Sequence, residues 1–240
     1  MPKTYRFSFL IIIDFILKFC YNIYIKKREE NKNMIRFPNV KKIVIETEGD
    51  WTAFPAMKCN SIKQFCEMGV VQVGSRFIVD GWWITCIDID GDKYYFSYDE
   101  VPVCVAHHKD IEKILKDIYT TGKVGNIKVM PKELRDEVEY LFVPSEYQVF
   151  GENKYGVKET GVKQFEYFKR GDISRVKGYR GKEIDSWRQG ETLPWWLSTV
   201  SSSNSTACCG VGYGGGAASY YASHTLVGVP VCFEIKVTKK

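Results

Sequence analysis

From Ser198 to Phe233 the chain reads "STVSSSNSTACCGVGYGGGAASYYASHTLVGVPVCF", 36 residues without a Lys, Arg, Asp, Glu, Gln, Met or Trp. All 34 Lys and Arg and all 29 Asp and Glu of the 240-residue protein lie outside it. Such a stretch either crosses a core as apolar strands or lies on the surface as uncharged loops, and its makeup bears on which. Its seven Ser and six Gly supply little of the apolar area whose burial drives folding, roughly 25 cal/mol per Å². A free linker fits poorly, because "GVPVCFEIKV" behind it reads as a strand that must return to the core. We therefore expect a long, surface-exposed, uncharged loop region held at both ends by apolar strands. Tyr, Ser, Gly and Asn are also the residues of antibody paratopes: Tyr gives contact area with few rotamers to freeze, and Ser, Gly and Asn adapt their hydrogen bonds. The expected contacts are Ser203, Asn204, Ser205, Thr206, Tyr213, Tyr220, Tyr221 and His224.

The rest of the chain has the means to build a frame for such a surface. Hydrophobic residues make up 45% and aromatics 15%, which places it among globular proteins and not disordered ones. No linker or repeat divides residues 34–240, so they read as one domain, with 198–233 as a variable-type region inside it. The net charge of +5 is concentrated at the start: residues 1–33 hold seven Lys and Arg against three Asp and Glu. The remainder is nearly balanced, so there is no basic face for nucleic acid.

Residues 1–33 read as a separate leader. As a membrane helix its apolar run contains Asp14 and Lys18, each costing roughly 2.5–3.5 kcal/mol at a bilayer centre. As a signal peptide it lacks a small-residue cleavage site. "KREENKNM" can be encoded by a purine-rich ribosome-binding sequence, a short spacer and a start codon, so we expect Met34 to be the natural start. The protein is then cytoplasmic or virion-associated, and membrane-anchored if residues 1–33 are translated. Without a secretory signal, the eight cysteines are expected to be reduced. No CxxC pair supports a structural zinc.

Local patterns indicate α+β structure. "KKIVIETE" reads as a strand, and "SIKQFCEMG" as a short helix with Ser61 as N-cap and Gly69 as its stop. "SRFIVDGWWITCIDIDGDKYYFSY" carries two strand-like runs around Asp90-Gly91, a strong hairpin signal. "HKDIEKILKDIYTTG" places Ile111, Ile114, Leu115 and Ile118 on one helical face, ended at Gly122. "PKELRDEVEYLF", opened by Pro131, reads as a second helix. "LPWWLST" and "VPVCFEIKV" are strand material. In the pairs Trp82-Trp83 and Trp195-Trp196, neighbours point to opposite faces, so one of each fills the core and the other meets another layer or a ligand.

Several chemical motifs fail on inspection. "DIDGD" at 88–92 resembles a calcium loop, but the sixth and twelfth positions are Lys93 and Asp99 where Gly and Glu are required. "GVGYGG" matches a dinucleotide fingerprint without the strand before it and the helix after it. Cys104, His107 and His108 lack a second ligand pair and read as an exposed helix start. Cys208 and Cys209 have only His224 nearby as an activating base. No metal or cofactor is expected.

"VGSRFIVDGWWITCIDIDGDKYYFS", "LFVPSEYQVFG", "FEYFKRGDISRVKGYRG" and "PWWLST…GVPVCFEIKV" together carry a resemblance. In order and spacing these blocks, over about residues 70–237, resemble a bacterial and phage domain family of unknown function ending in a "WWLRSP…GVRPAL"-like pattern. Here "LST" stands for "LRSP" and "GVPV" for "GVRPA", so two framework Arg positions are absent. The resemblance implies a C-type-lectin-like fold related to formylglycine-generating enzymes, with two helices packed on short antiparallel sheets and long loops. Lectin-like domains of this kind recur as variable proteins of diversity-generating retroelements, whose hypervariable region is rewritten at adenines, commonly in AAC codons. Changing the first two bases of AAC cannot produce Lys, Glu, Gln, Met or Trp, and every residue from Ser198 to Phe233 lies within the reachable set. The implied function is non-enzymatic receptor binding in a phage or bacterial surface context. Its ligand would be an unidentified protein or glycan on a cell surface, and nothing in the sequence forbids a homo-oligomer. The alternatives are an oxidoreductase of the formylglycine-generating kind using Cys208 or Cys209, and a structural virion protein. Sugar-binding calcium motifs are absent, so calcium-dependent glycan binding is not implied.

Overall fold

The computed structural model describes residues 45–46, 61–105, 107–180 and 191–238. The leader, Met34, Cys20 and Cys59 lie outside the described residues. The fold is α+β, with small antiparallel sheets and few helices. In chain order the elements are β1 (Ile45–Glu46), α1 (Ile62–Glu67), β2 (Arg76–Val79), β3 (Trp82–Asp90), β4 (Lys93–Tyr98) and β5 (Glu100–Val101). Next come α2 (Ile111–Thr121), β6 (Lys123–Val124), β7 (Ile127–Lys128), α3 (Lys132–Arg135), β8 (Tyr140–Phe142) and α4 (Glu146–Phe150). The chain closes with β9 (Lys177–Tyr179), β10 (Thr192–Leu193), β11 (Trp195–Val200), β12 (Ala207–Val211), β13 (Ala217–Tyr221) and β14 (Cys232–Lys236).

The largest sheet has the order β1-β2-β3-β4-β14-β8 and is antiparallel throughout. Its local signals are those of the sequence. The Ser61 hydroxyl caps α1 by accepting from Gln64 N at 3.0 Å, and Gly122 ends α2 in the left-handed region at φ 75°. Ile111 and Ile118 of α2 are buried, with Ile114 and Leu115 half-buried beside them. The expected β3–β4 hairpin forms with Asp90 paired to Lys93, so its two turn residues are Gly91 and Asp92, one step later than the Asp90-Gly91 signal. A second hairpin precedes it: Val79 pairs with Trp82, and Asp80 and Gly81 both take positive φ, at 48° and 83°.

One expected helix is a single helical turn followed by a short strand. "PKELRDEVEYLF" is helical only over Lys132–Arg135, with Pro131 as its N-cap. Leu134 and Val138 are both buried, and their spacing mimics a helical face. Tyr140–Phe142 instead pairs with β14, with Leu141 opposite Phe233. A strand edge 90 residues further along the chain offers backbone partners that overrode the local pattern.

Two apolar clusters sit on either side of the β11-β12-β13 sheet. One gathers Trp195, Leu197, Cys209 and Val211 with Val149 and Phe168. The other gathers Trp196 and Cys208 with Ile111, Val143, Val227 and Val229. Trp195 and Trp196 are both fully buried on opposite faces, as alternation requires. Of the other tandem pair, Trp82 is buried while Trp83 is half-buried under the Arg76 guanidinium, 4.3 Å from the ring centroid.

Candidate functional site

The uncharged segment is not one long surface loop. Ala207–Val211 is buried at every position, and Val227–Ile235 is buried throughout. In all, fifteen of the 36 residues are buried, and the expectation of a wholly exposed region is corrected. β12 is the middle strand of its sheet, covered on both faces, so its side chains must be small. Gly210 shows this most directly: a Cβ there would lie 2.9 Å from both Trp195 O and Tyr220 Cδ2.

What remains exposed is carried by the connections of this strand. Ser202–Thr206, linking β11 to β12, is exposed at every residue. It is shaped by its own side chains: Ser201 Oγ accepts from Asn204 N at 3.3 Å, and Asn204 Oδ1 accepts from Thr206 N and Oγ1 at 2.9 and 2.7 Å. Ser202 anchors it outward, its N–H and hydroxyl both donating to Tyr155 O at 2.9 Å. Side-chain acceptors of this kind hold a turn without regular structure. Ala222 N donates to Thr206 O at 2.8 Å, which sets the end of β13 and the turn after it beside this loop.

The eight expected contact residues divide accordingly. Ser203, Asn204, Ser205, Thr206 and Tyr221 are exposed at this one end, Tyr221 at 65%. Asn204 Oδ1 and the Thr206 hydroxyl are spent on the loop itself. Tyr220 and His224 are half-buried. The Tyr220 ring lies edge-on to Trp196 at 5.9 Å and to His224 at 5.5 Å, and His224 Nδ1 accepts from Leu226 N at 3.3 Å. They support the surface more than they form it. Tyr213 is 45% exposed but sits in the β12–β13 turn, at the far end of a five-residue strand that spans about 17 Å. Sequence reasoning missed Ser219, Ser223 and Thr225, all exposed. The i, i+2 relation of Ser219 to Tyr221 was the available signal.

Behind the surface, His108 locks α2 to the sheet. Its Nε2 donates to Leu197 O at 2.8 Å, its ring meets Trp196 edge-on at 5.1 Å, and its N–H bonds Ala222 O at 2.7 Å. It is thus a packing residue and not the exposed helix start expected. Burial lowers its pKa from 6.5, more strongly than the Leu197 carbonyl raises it. The unfolded chain therefore binds a proton more tightly than the folded one. Stability should fall as pH drops through 6.5 and level off below the lowered folded value. Urea unfolding between pH 7.5 and 5 should show this loss, and His108→Gln should flatten it relative to the native chain.

Cys208 and Cys209 face different clusters. Burial raises the Cys208 thiol. Burial and the Glu146 carboxylate push Cys209 up to about 12. Neither is a thiolate at neutral pH, the form that oxidation or metal chemistry uses. Gly210, Gly212 and Gly215 belong to β12 and its turn, with a strand following, so they do not form a phosphate-binding loop. His107 Nδ1 accepts from Lys109 N at 3.2 Å. No group of three or more His, Cys, Asp or Glu fit to hold a metal occurs among the described residues. A cleft of about 520 Å³ lined by Lys63, Asp92, Glu139 and Lys236 lies at the β3–β4 turn, with no residue of 198–233 in its wall. Among the described residues no helix is long and apolar enough to cross a membrane.

The geometry is that of an α+β domain displaying an uncharged, hydroxyl- and tyrosine-bearing surface from the connections of a buried strand. A family model for a domain of unknown function, DUF6273, matches residues 106–237, more than half of the chain, and the protein belongs to that family. No curated protein and no solved structure matches it.

Proposed function

We propose that this protein is a non-enzymatic receptor-binding domain of C-type-lectin-like fold, whose diversified surface recognises a protein or glycan on a cell surface. One observation carries the reading: the exposed, uncharged loop Ser202–Thr206 is set beside exposed Tyr221, Ser223 and Thr225, next to a strand buried at every position. A rigid frame with adaptable loops is how binding residues are commonly presented. Exposed, uncharged loops of this kind favour a macromolecular ligand over a small molecule, which is usually held in a concave pocket. The restricted alphabet of residues 198–233 supports diversification by a retroelement acting on AAC-type codons.

Sequencing of the gene and its neighbourhood across isolates tests the reading. We expect a reverse transcriptase and a near-copy of the 198–233 coding sequence differing at adenines. Substitutions should concentrate at Ser203, Asn204, Ser205, Thr206 and Tyr221. Absence of the near-copy, or changes spread evenly over buried and exposed positions, would overturn it.

A further inference from the structure

β13 is an outer strand of the β11-β12-β13 sheet. Which of its backbone groups face outward follows from the ladder. Gly212 N donates to Gly216 O and Ala222 N to Thr206 O, both at 2.8 Å. The even-numbered pairs, including Cys208 with Tyr220 and Gly210 with Ala218, are therefore the hydrogen-bonded ones. Ser201 N donating to Ala207 O agrees, since it turns the odd residues of β12 toward β11. On β13 the odd residues Ala217, Ser219 and Tyr221 thus point N–H and C=O away from β12. Among the described residues, only Tyr221 O of these outward groups has a partner, accepting from His224 N at 2.8 Å. Ser219 and Tyr221 are exposed.

Natural sheets guard open edges with Lys, Pro, inward-pointing charges or bulges. "AASYY" carries none of these residues, and its register with β12 runs without a shift. We propose that β13 pairs antiparallel with β13 of a second copy of this chain, about a two-fold axis through Ser219. In that register the Ser219 N–H donates to the C=O of the partner's Ser219, and the reverse bond follows by symmetry. Ala217 C=O accepts from the N–H of the partner's Tyr221. The side chains suit the same register: large Tyr221 faces the small side chain of the partner's Ala217, and Ser219 meets its own copy. No charge is present for the axis to set against itself. A foreign strand would gain the backbone bonds but not this self-complementarity. Edge pairing leaves the side-chain faces open, so the exposed residues of both copies would join on one continuous sheet and bind with avidity. The dimer follows from backbone geometry and does not depend on what the surface binds.

Sedimentation velocity on the full chain over a concentration series tests it, with circular dichroism as the folding control. The native protein should sediment as a dimer. Ser219→Pro removes only an outward N–H and should give a folded monomer. Ser219→Lys sets two ammonium groups across the axis and should raise the dimer dissociation constant about tenfold or more, less so at high salt. Ser223→Lys, exposed but outside the strand, should leave the dimer intact. If Ser219→Pro fails to fold, Ser219→Lys decides the matter. A native monomer throughout the series, or a dimer indifferent to the folded Ser219 variants, would overturn the proposal. Neither result bears on the ligand-binding reading, which the gene-sequence comparison tests separately.

Discussion

Glu146→Ala is expected to destabilise the domain by about 2–5 kcal/mol, because it strands buried backbone donors. Glu146 is fully buried and makes no ion pair among the described residues. Its carboxylate is held instead by Tyr155 N at 3.1 Å, Gly156 N at 2.7 Å and the Cys209 thiol at 3.7 Å. Its own N–H donates to Thr199 Oγ1 at 2.8 Å. An unpaired charge in such a place would be very costly, and backbone N–H groups are what make it tolerable. The site admits no bulk: a Cβ on Gly156 would lie 2.3 Å from Thr199 Cγ2 and 2.8 Å from Glu146 Oε2. Through Tyr155, whose carbonyl holds Ser202, the carboxylate also anchors the exposed Ser202–Thr206 loop. Urea unfolding of Glu146→Ala should show the loss, and Glu146→Gln, which keeps one acceptor oxygen, should lose less. Hydrogen exchange in the 202–206 loop should quicken in the Ala variant. A Glu146→Ala domain as stable as the native one would mean that the buried carboxylate is not what holds this loop.

The tandem tryptophans should respond unequally to the same change. Replacing either by Ala should cost about 3–5 kcal/mol, as for other large buried aromatics. Phe discriminates between them. Trp195 Nε1 donates to Arg175 O at 2.8 Å, so Trp195→Phe leaves that carbonyl without its donor. Among the described residues Trp196 Nε1 is buried without a hydrogen-bond partner, so Trp196→Phe removes an unsatisfied group along with some volume. We expect Trp196→Phe to be the milder of the two by about 1 kcal/mol or more. Chemical denaturation of the two variants compares them directly, and equal or reversed costs would refute the account. Trp196→Ala should also loosen Tyr220 and His224, since Trp196 is the wall on which that ring stack rests.

Signals confined to a few residues were legible. The Ser61 cap, the Gly122 stop, the α2 apolar face and the closing strand at Cys232 all follow from chemistry within one or two turns of chain. The hairpin at 90–93 was legible to within a residue, because Asp-Gly marks a turn but not which of its positions each residue takes. The Asp80-Gly81 turn carried the same signal and was absorbed into a longer apolar run. The candidate surface was legible in part: uncharged composition pointed to Ser203–Thr206 and Tyr221, yet gave no way to separate them from Tyr220, His224 or Tyr213. Those differ only in what lies behind them, and Trp196 and His108 are not their sequence neighbours in any pattern.

The amino-acid order by itself determined the class of fold, the cap of α1, the stop of α2 and the absence of charge from residues 198–233. These depend on propensity, capping and composition, which act locally. Tertiary structure alone decided that Ala207–Val211 is core, that Tyr140–Phe142 is a strand and that Tyr213 stands apart from Tyr221. A run of Ala, Cys and Gly has too little apolar area to announce burial. It becomes core because layers containing Trp195 and Trp196 close on it from both sides, and only small side chains fit between them.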